Sequence, residues 1–486
     1  MSSEDKGVTS HSSYGDKLAY IKEELAVDKN FDIICLEMVH ANRKMALFLV
    51  DGFGKDSALT QIQRELSHTT EEEVDESYDA LIKSRIPYAE IDQEEDLDTA
   101  IDQVLSGPAI LLVEGLAYCI IIDTREYPVR GPEEPDTEKV VRGSRDGLVE
   151  TLVMSAALIR RRIRDRTFRV EYQQIGRRSK TDTALLYIAD IADPDYVHQI
   201  RESIKAIDTD GLPMADKTIE EYVFKEGGNP YPLVRYSERP DVCATHLYEG
   251  HVILLVDGSP SAMITPTTFW NLLQHAEEYR QKPVIGALLR IVRFSAVFIS
   301  LFLLPIWYML ATHQELVPEA FSFIGTQEEG SIPLFIQFLI AEAGIEMLRM
   351  ASIHTPNAVA EALGLVAALL IGDIAIQVGM FSPEVILYLA IAAVGTFATP
   401  SYELSLANRF MRLLFLIATA AFGPVGFVSS ATIWFIALVR LRGLRVPYMW
   451  PFIPFNMKAL RDVFFRIPMP LKNRRPAINH PQDPDR

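Results

Sequence analysis

Cysteine is scarce in this chain: Cys35, Cys119 and Cys243 are the only three in 486 residues, far apart and odd in number. That excludes a disulfide framework and fits a reducing compartment for the front of the chain. The opening residues Met1-Ser2-Ser3-Glu4-Asp5 hold neither a basic stretch nor an apolar run, so no signal peptide is expected. Any membrane insertion must then come from internal segments. Positive charge is short in residues 1–280, with 31 Lys/Arg against 52 Asp/Glu. Such an acidic front argues against nucleic-acid binding, which needs cations to displace phosphate counterions.

Enzyme signatures are also missing. Asp51-Gly52-Phe53-Gly54-Lys55-Asp56-Ser57 lacks the spacing of a phosphate-binding loop. Cys243, His246 and His251 have ligand-like spacing but no evident fourth ligand. No catalytic activity, cofactor or metal is expected. No internal repeat or paired halves are visible, which disfavours a solute transporter.

What is present divides the chain in two. Residues 1–30 read as a polar, partly disordered segment. Residues 31–140 and 141–280 read as two α/β subdomains of an α+β soluble N-terminal half, with short apolar runs alternating with polar helical stretches. Strands are expected at Met45–Val50, at Thr183–Ala189, at Val252–Asp257, and as a hairpin about Gly115 from Ile110–Glu114 and Cys119–Asp123. Helices are expected at Ser57–Glu76, Pro194–Ala206, Thr218–Phe224, and as one long helix over Arg142–Arg166.

Residues 281–445 read as an all-α helical transmembrane domain, followed by a basic cytoplasmic tail at 446–486. Phe294–Thr312, Val359–Val378, the shorter Val385–Thr399 and Leu413–Leu438 are nearly uncharged runs and candidate spans, the last broken by Gly423-Pro424 and Gly426. The stretch 332–350 is apolar but carries Glu342, Glu346 and Arg349, which suits a re-entrant or interfacial helix. Lys282, Arg290 and Arg293 before the first run, and Arg440, Arg442, Arg445, Lys458 and Arg461 after the last, put both flanks on the cytoplasmic side and require an even number of crossings. Arg409 and Arg412 then fall on the outer side, against that rule.

Three groups of residues stand out. Ala360, Gly364, Ala368, Gly372, Ala375 and Gly379 form a small-residue stripe, suited either to close helix packing or to lining a narrow pore. Glu342, Glu346, Glu361 and Asp373 are ionisable within apolar surroundings, where charge is costly and marks function or an internal ion pair. Arg160, Arg161 and Arg162, with Arg145 and Asp146 upstream, form a charged group suited to contacts with another subdomain, another subunit or anionic lipid.

Several of these motifs together resemble the A subunits of GerA-type spore germination receptors. They are Arg130-Gly131-Pro132, the run Gly143-Ser144-Arg145-Asp146-Gly147-Leu148-Val149-Glu150, Glu238-Arg239-Pro240-Asp241, Val256-Asp257-Gly258-Ser259-Pro260, and Gly379-Met380-Phe381-Ser382-Pro383. The C-terminal Pro451-Phe452-Ile453-Pro454-Phe455-Asn456 is most similar to a sporulation-stage branch of that family. The resemblance implies a homo-oligomeric ring, a pentamer, in the spore inner membrane. It implies conduction of monovalent cations and other germination membrane proteins as partners. In the family's receptors, A subunits work with B and C subunits.

Overall fold

The computed structural model describes residues 8–68, 70, 90–125, 138–225, 227–318, 324–327, 330–354 and 374–486. Val359–Val378 therefore lies largely outside the described residues, as do Ala360, Glu361, Gly364, Ala368, Gly372 and Asp373.

The first subdomain runs α1 (Tyr14–Glu24), β1 (Ile33–His40), β2 (Arg43–Val50), α2 (Asp56–Ser67), β3 (Glu90–Glu94), α3 (Leu97–Ser106), β4 (Ala109–Val113) and β5 (Cys119–Asp123). The second runs α4 (Leu152–Arg160), β6 (Phe168–Ile175), β7 (Thr181–Ile188), α5 (Pro194–Lys205), α6 (Ala215–Phe224), β8 (Arg235–Ser237), α7 (Pro240–Tyr248), β9 (Val252–Val256) and β10 (Ala262–Thr265). The sheet orders are β1-β2-β4-β5-β3 and β6-β7-β9-β10-β8, and every pairing in both is antiparallel. These are the same connectivity twice. The soluble half thus holds a topological repeat, although none is visible in its sequence.

Apolar runs explain the central strands. β2 sends Ala46, Phe48 and Val50 into one core and Met45, Leu47 and Leu49 into another, as period-two alternation requires. The hairpin about Gly115 forms as expected, with that glycine at φ +91°.

Two expectations fail. Residues 14–24 are a helix, capped by the Ser13 hydroxyl, with Tyr20 and Ile21 buried. The long helix over Arg142–Arg166 is only α4. Its upstream residues form a loop, because Arg239 Nη2 donates to the Ser144 carbonyl at 2.9 Å and Leu148 N–H to the Glu238 carbonyl at 2.7 Å. α4 is the wall between subdomains: Ala157 packs in the first core, and Leu152, Ala156, Leu158 and Ile159 pack in the second.

The helical region follows α8 (Ala276–Arg280) with α9 (Pro283–Thr312), α10 (Leu334–His354), α11 (Pro383–Phe397) and α12 (Tyr402–Arg440). By length and composition α9 and α12 could each cross a membrane, and α11 is a shorter apolar helix. The segment 332–350, read as re-entrant or interfacial, lies in a continuous helix of 21 residues.

α12 is not one rod. Gly423 breaks it with φ 60° and ψ −145°. The Tyr231 hydroxyl donates to Asn408 Oδ1 at 3.1 Å and accepts from Trp434 Nε1 at 2.6 Å. In a straight helix those two residues would stand ~39 Å apart at ~1.5 Å per residue. The halves 402–422 and 424–440 therefore fold back as a hairpin, with Phe415 and Trp434 ring centroids 5.9 Å apart. The run Leu413–Leu438, read as a single broken span, is two antiparallel legs.

One apolar core joins the second subdomain to this bundle. It contains Leu185, Leu254 and Trp270 together with Phe294, Leu301, Phe415 and Leu438. After the bundle come β11 (Arg442–Gly443), β12 (Val446–Pro447) and α13 (Met457–Phe464). The tail then returns to the second subdomain, where Ile478 and Asn479 are buried.

Candidate functional site

Among the described residues, the charges of α10 and the first leg of α12 are gathered into one knot. Arg412, from the first leg of α12, is 3% exposed and bonds Glu342 of α10 through two contacts, at 2.8 and 2.9 Å. Its Nη1 also donates to the Ser300 carbonyl of α9 at 2.8 Å and to Thr396 Oγ1 of α11 at 3.4 Å. One guanidinium thus ties four helices. One turn along, Glu346 pairs with Arg349 and with Arg409. Arg349 Nη1 donates to the Tyr402 hydroxyl at 2.7 Å. The pairs Glu342–Arg412 and Glu346–Arg409 set α10 antiparallel to the first leg of α12.

The outward surface of the same bundle is apolar. Phe298, Leu387, Val394, Phe397, Phe422, Val425 and Ile433 are all exposed. Charges within and apolar side chains without is the reverse of a water-soluble bundle.

Of the stripe, only Ala375 and Gly379 fall in the described residues. Ala375 sits in a short helical turn, Ala375–Gln377, partly buried beside the α9–α11 core. Gly379 does not continue the stripe as helix: it has φ +66° and ends that turn. Its carbonyl accepts the Ser331 N–H and hydroxyl, both at 2.8 Å.

The arginine group divides its work. Arg160 is fully buried and pairs with Asp32 of the first subdomain, its guanidinium 4.7 Å from the Phe168 ring centroid. Removing one partner of such a pair costs about 3–5 kcal/mol, so this is a structural tie between subdomains. Arg166, from the same basic run, reaches Asp98 at 2.7 Å and Asp102 at 2.9 Å. Arg162 bonds Asp146 at 2.6 Å within the second subdomain. Arg145 is exposed and Arg161 half-buried.

Two further clusters gather residues that the sequence offered in other roles: Arg290 and Arg293 as a basic flank, and Cys243, His246 and His251 as a ligand-like spacing. At the elbow between sheet and bundle, buried Glu278 of α8 pairs with Arg290 at 2.7 Å and with Arg293. Arg290 Nη1 also donates to the Asp462 and Val463 carbonyls of α13, at 2.9 and 3.1 Å. Gly286 permits this approach, since a Cβ there would lie 2.4 Å from the Glu278 carbonyl oxygen.

The second cluster holds the tail. Lys472 bonds Glu249 at 2.6 Å, Asn479 Nδ2 donates to the Glu249 carbonyl at 2.8 Å, and Gln482 Nε2 donates to the Ala189 and Ala192 carbonyls at 2.8 and 2.7 Å. Beneath it lie His246 and His251, ring centroids 4.9 Å apart. Their Nδ1 atoms face the Val242 and His246 carbonyls, and Cys243 is buried with its thiol pushed up, by burial first. The described residues contain no cluster able to hold a metal.

Burial pushes His246 down to about 3 and His251 down to about 4, from 6.5. Burial, the largest single effect, would raise Glu249, but Lys472, His246 and His251 together outweigh it and hold that carboxyl at about 2. Native histidines with lowered pKa bind fewer protons than unfolded ones, so their contribution is complete above pH ~6.5 and is lost as pH falls toward ~4. Acidification from pH ~7 to ~4 is expected to lower the hydrogen-exchange protection of 477–482, measured against the intrinsic rate at each pH, and His246→Asn with His251→Asn to flatten that dependence.

Residues 19–478 match the Bacillus/Clostridium GerA spore germination protein family, and the chain belongs to it. It is 48% identical over 466 residues to the stage V sporulation protein AF of Bacillus subtilis (strain 168), covering 96% of this chain and 94% of that one. It is 32% identical over 407 residues to the spore germination protein KA of the same organism, covering 83% of this chain and 74% of that one. A crystal structure of the N-terminal domain of the A subunit of the Bacillus megaterium spore germinant receptor GerK3 aligns with TM-score 0.41 and 24% identity, over 52% of this chain and 94% of that one.

Proposed function

We propose that this chain is a subunit of an oligomeric ion channel in the spore inner membrane, releasing monovalent cations and amplifying germination. It has no enzymatic role, and both termini lie on the core side. The observation that supports the membrane part is the inside-out bundle, with the Arg412 knot within and exposed apolar side chains without.

The hairpin also removes the topological objection. Its two ends share one side, and Tyr231 of the second subdomain bonds Asn408, so the Arg409 end of the first leg lies with Arg440 on the core side in this reading. Arg409 and Arg412 are moreover paired with Glu346 and Glu342. The two legs of α12 and the chain's return to the second subdomain are consistent with an even number of crossings. One copy has too few described helices to enclose a conduit, which favours a homo-oligomer, a pentamer by family resemblance.

The conducting helix in this reading carries Gly364 and Ala368, where small side chains leave room at an axis. Potassium release from germinating spores tests it. Gly364→Trp at normal protein level is expected to block release, and unchanged release excludes the stripe as the pore. A second reading is a non-conducting scaffold or a receptor A subunit acting with B and C subunits. The large soluble half rigidly joined to the bundle through Glu278 and Arg290 favours it.

A further inference from the structure

The outer face of α13 has no partner among the described residues. Phe455, just before the helix, is 65% exposed, Met457 66%, and Phe465, just after it, 55%. Lys458 and Arg461 share this face with Phe465, because 458, 461 and 465 are spaced at i, i+3, i+7, and all three are exposed. The opposite face packs inward through Val463, and Phe464 closes the edge with its ring 5.7 Å from Phe294. Apolar and basic side chains together on one face of a short helix are the pattern of an element lying in a membrane interface.

Position supports the same occupant. Arg290 holds α13 by its last carbonyls. From Arg290 to Thr312, α9 rises roughly 33 Å at ~1.5 Å per residue, close to the ~30 Å hydrocarbon thickness. In the membrane reading, Arg290 therefore sits at headgroup depth, and so does the helix bonded to it. Val284 and Leu288, on the first turns of α9, are exposed as well and extend the apolar surface. Charge favours an anionic leaflet: residues 441–486 carry nine Lys/Arg against three Asp, and the acid on α13, Asp462, is 3.3 Å from Arg461.

We infer that α13 is an interfacial anchor whose Phe455–Phe465 face rests on anionic headgroups of the core-side leaflet. This rests on the membrane reading above. It fixes the elbow at a set depth, so that Arg290 and Glu278 pass movement between soluble half and bundle against a membrane reference.

The test uses full-length protein in liposomes, with Cys35→Ser and a single bimane-labelled cysteine read by doxyl-lipid quenching. Labels go at Met457→Cys, at Phe298→Cys on the apolar surface of α9, and at Val39→Cys on the first subdomain. The expected result is quenching at 298 and 457 but not at 39, stronger at 457 when phosphatidylglycerol is added to phosphatidylcholine. Each basic residue is worth roughly fivefold in surface affinity. Lys458→Gln with Arg461→Gln should therefore weaken docking on the order of twentyfold and abolish the phosphatidylglycerol increment. Quenching at 298 with none at 457 overturns the anchor and leaves the membrane reading standing. A label at 457 shielded from both lipid and aqueous quenchers means the face is covered by protein, which also overturns it. No quenching at 298 overturns both.

Discussion

Arg412→Leu is expected to destabilise the folded protein by about 3–5 kcal/mol, because it leaves the largely buried Glu342 carboxylate without its cation. The loss is larger than a surface arginine would give, since Arg412 also satisfies the Ser300 carbonyl and contacts Thr396. Pairing rather than charge itself is what matters here. Glu342→Gln in the Arg412→Leu background should recover part of the loss, because a neutral amide costs less to bury than a carboxylate. A double-mutant cycle read by thermal unfolding in detergent checks this. Equal losses from each single variant and full additivity in the double would show that the two side chains do not act as a pair.

Gly423 should be as sensitive, for a different reason. Its φ and ψ lie in a region that side-chain-bearing residues hold only under strain of about 1–3 kcal/mol. An added Cβ would also stand 3.0 Å from His313 Nε2 at the end of α9. Pro424 follows as the first residue of the returning leg, where a missing N–H costs nothing. Gly426 closes the same turn, since a Cβ there would lie 2.0 Å from the Ala418 carbonyl oxygen. Gly423→Val is therefore expected to open the hairpin. Spin labels at the exposed positions Phe410 and Ile433 read the outcome. Their separation should be short in the parent and approach ~34 Å, the straight-helix value at ~1.5 Å per residue, if the variant extends. An unchanged distance would show that the turn does not depend on glycine.

Much of this architecture was readable from local pattern. The Gly115 hairpin, β7, α5 and β9 follow from short apolar runs bounded by turn residues, and the uncharged runs Phe294–Thr312, Val385–Thr399 and Leu413–Leu438 fall in α9, α11 and α12. What was not readable depends on partners far along the chain. α1 hides in a polar stretch because its charged Lys17 is buried with Nζ donating to the Leu116 carbonyl at 2.9 Å. The repeat is one of strand order, which leaves no trace when side chains have diverged. Glu342 and Glu346 were visible as misplaced charges. Their partners, Arg412 and Arg409, lie more than sixty residues away and read separately as a breach of the charge rule. Gly423-Pro424 announced a break, but only Tyr231, bonded to both legs, shows that the break is a reversal.

Conduction by the purified chain tests the channel most directly. Purified full-length chain reconstituted into potassium-loaded liposomes should release potassium in proportion to the protein inserted, and Gly364→Trp should suppress that release while inserting equally. Correctly inserted protein that passes no ion in any state tested would contradict the channel and leave the scaffold.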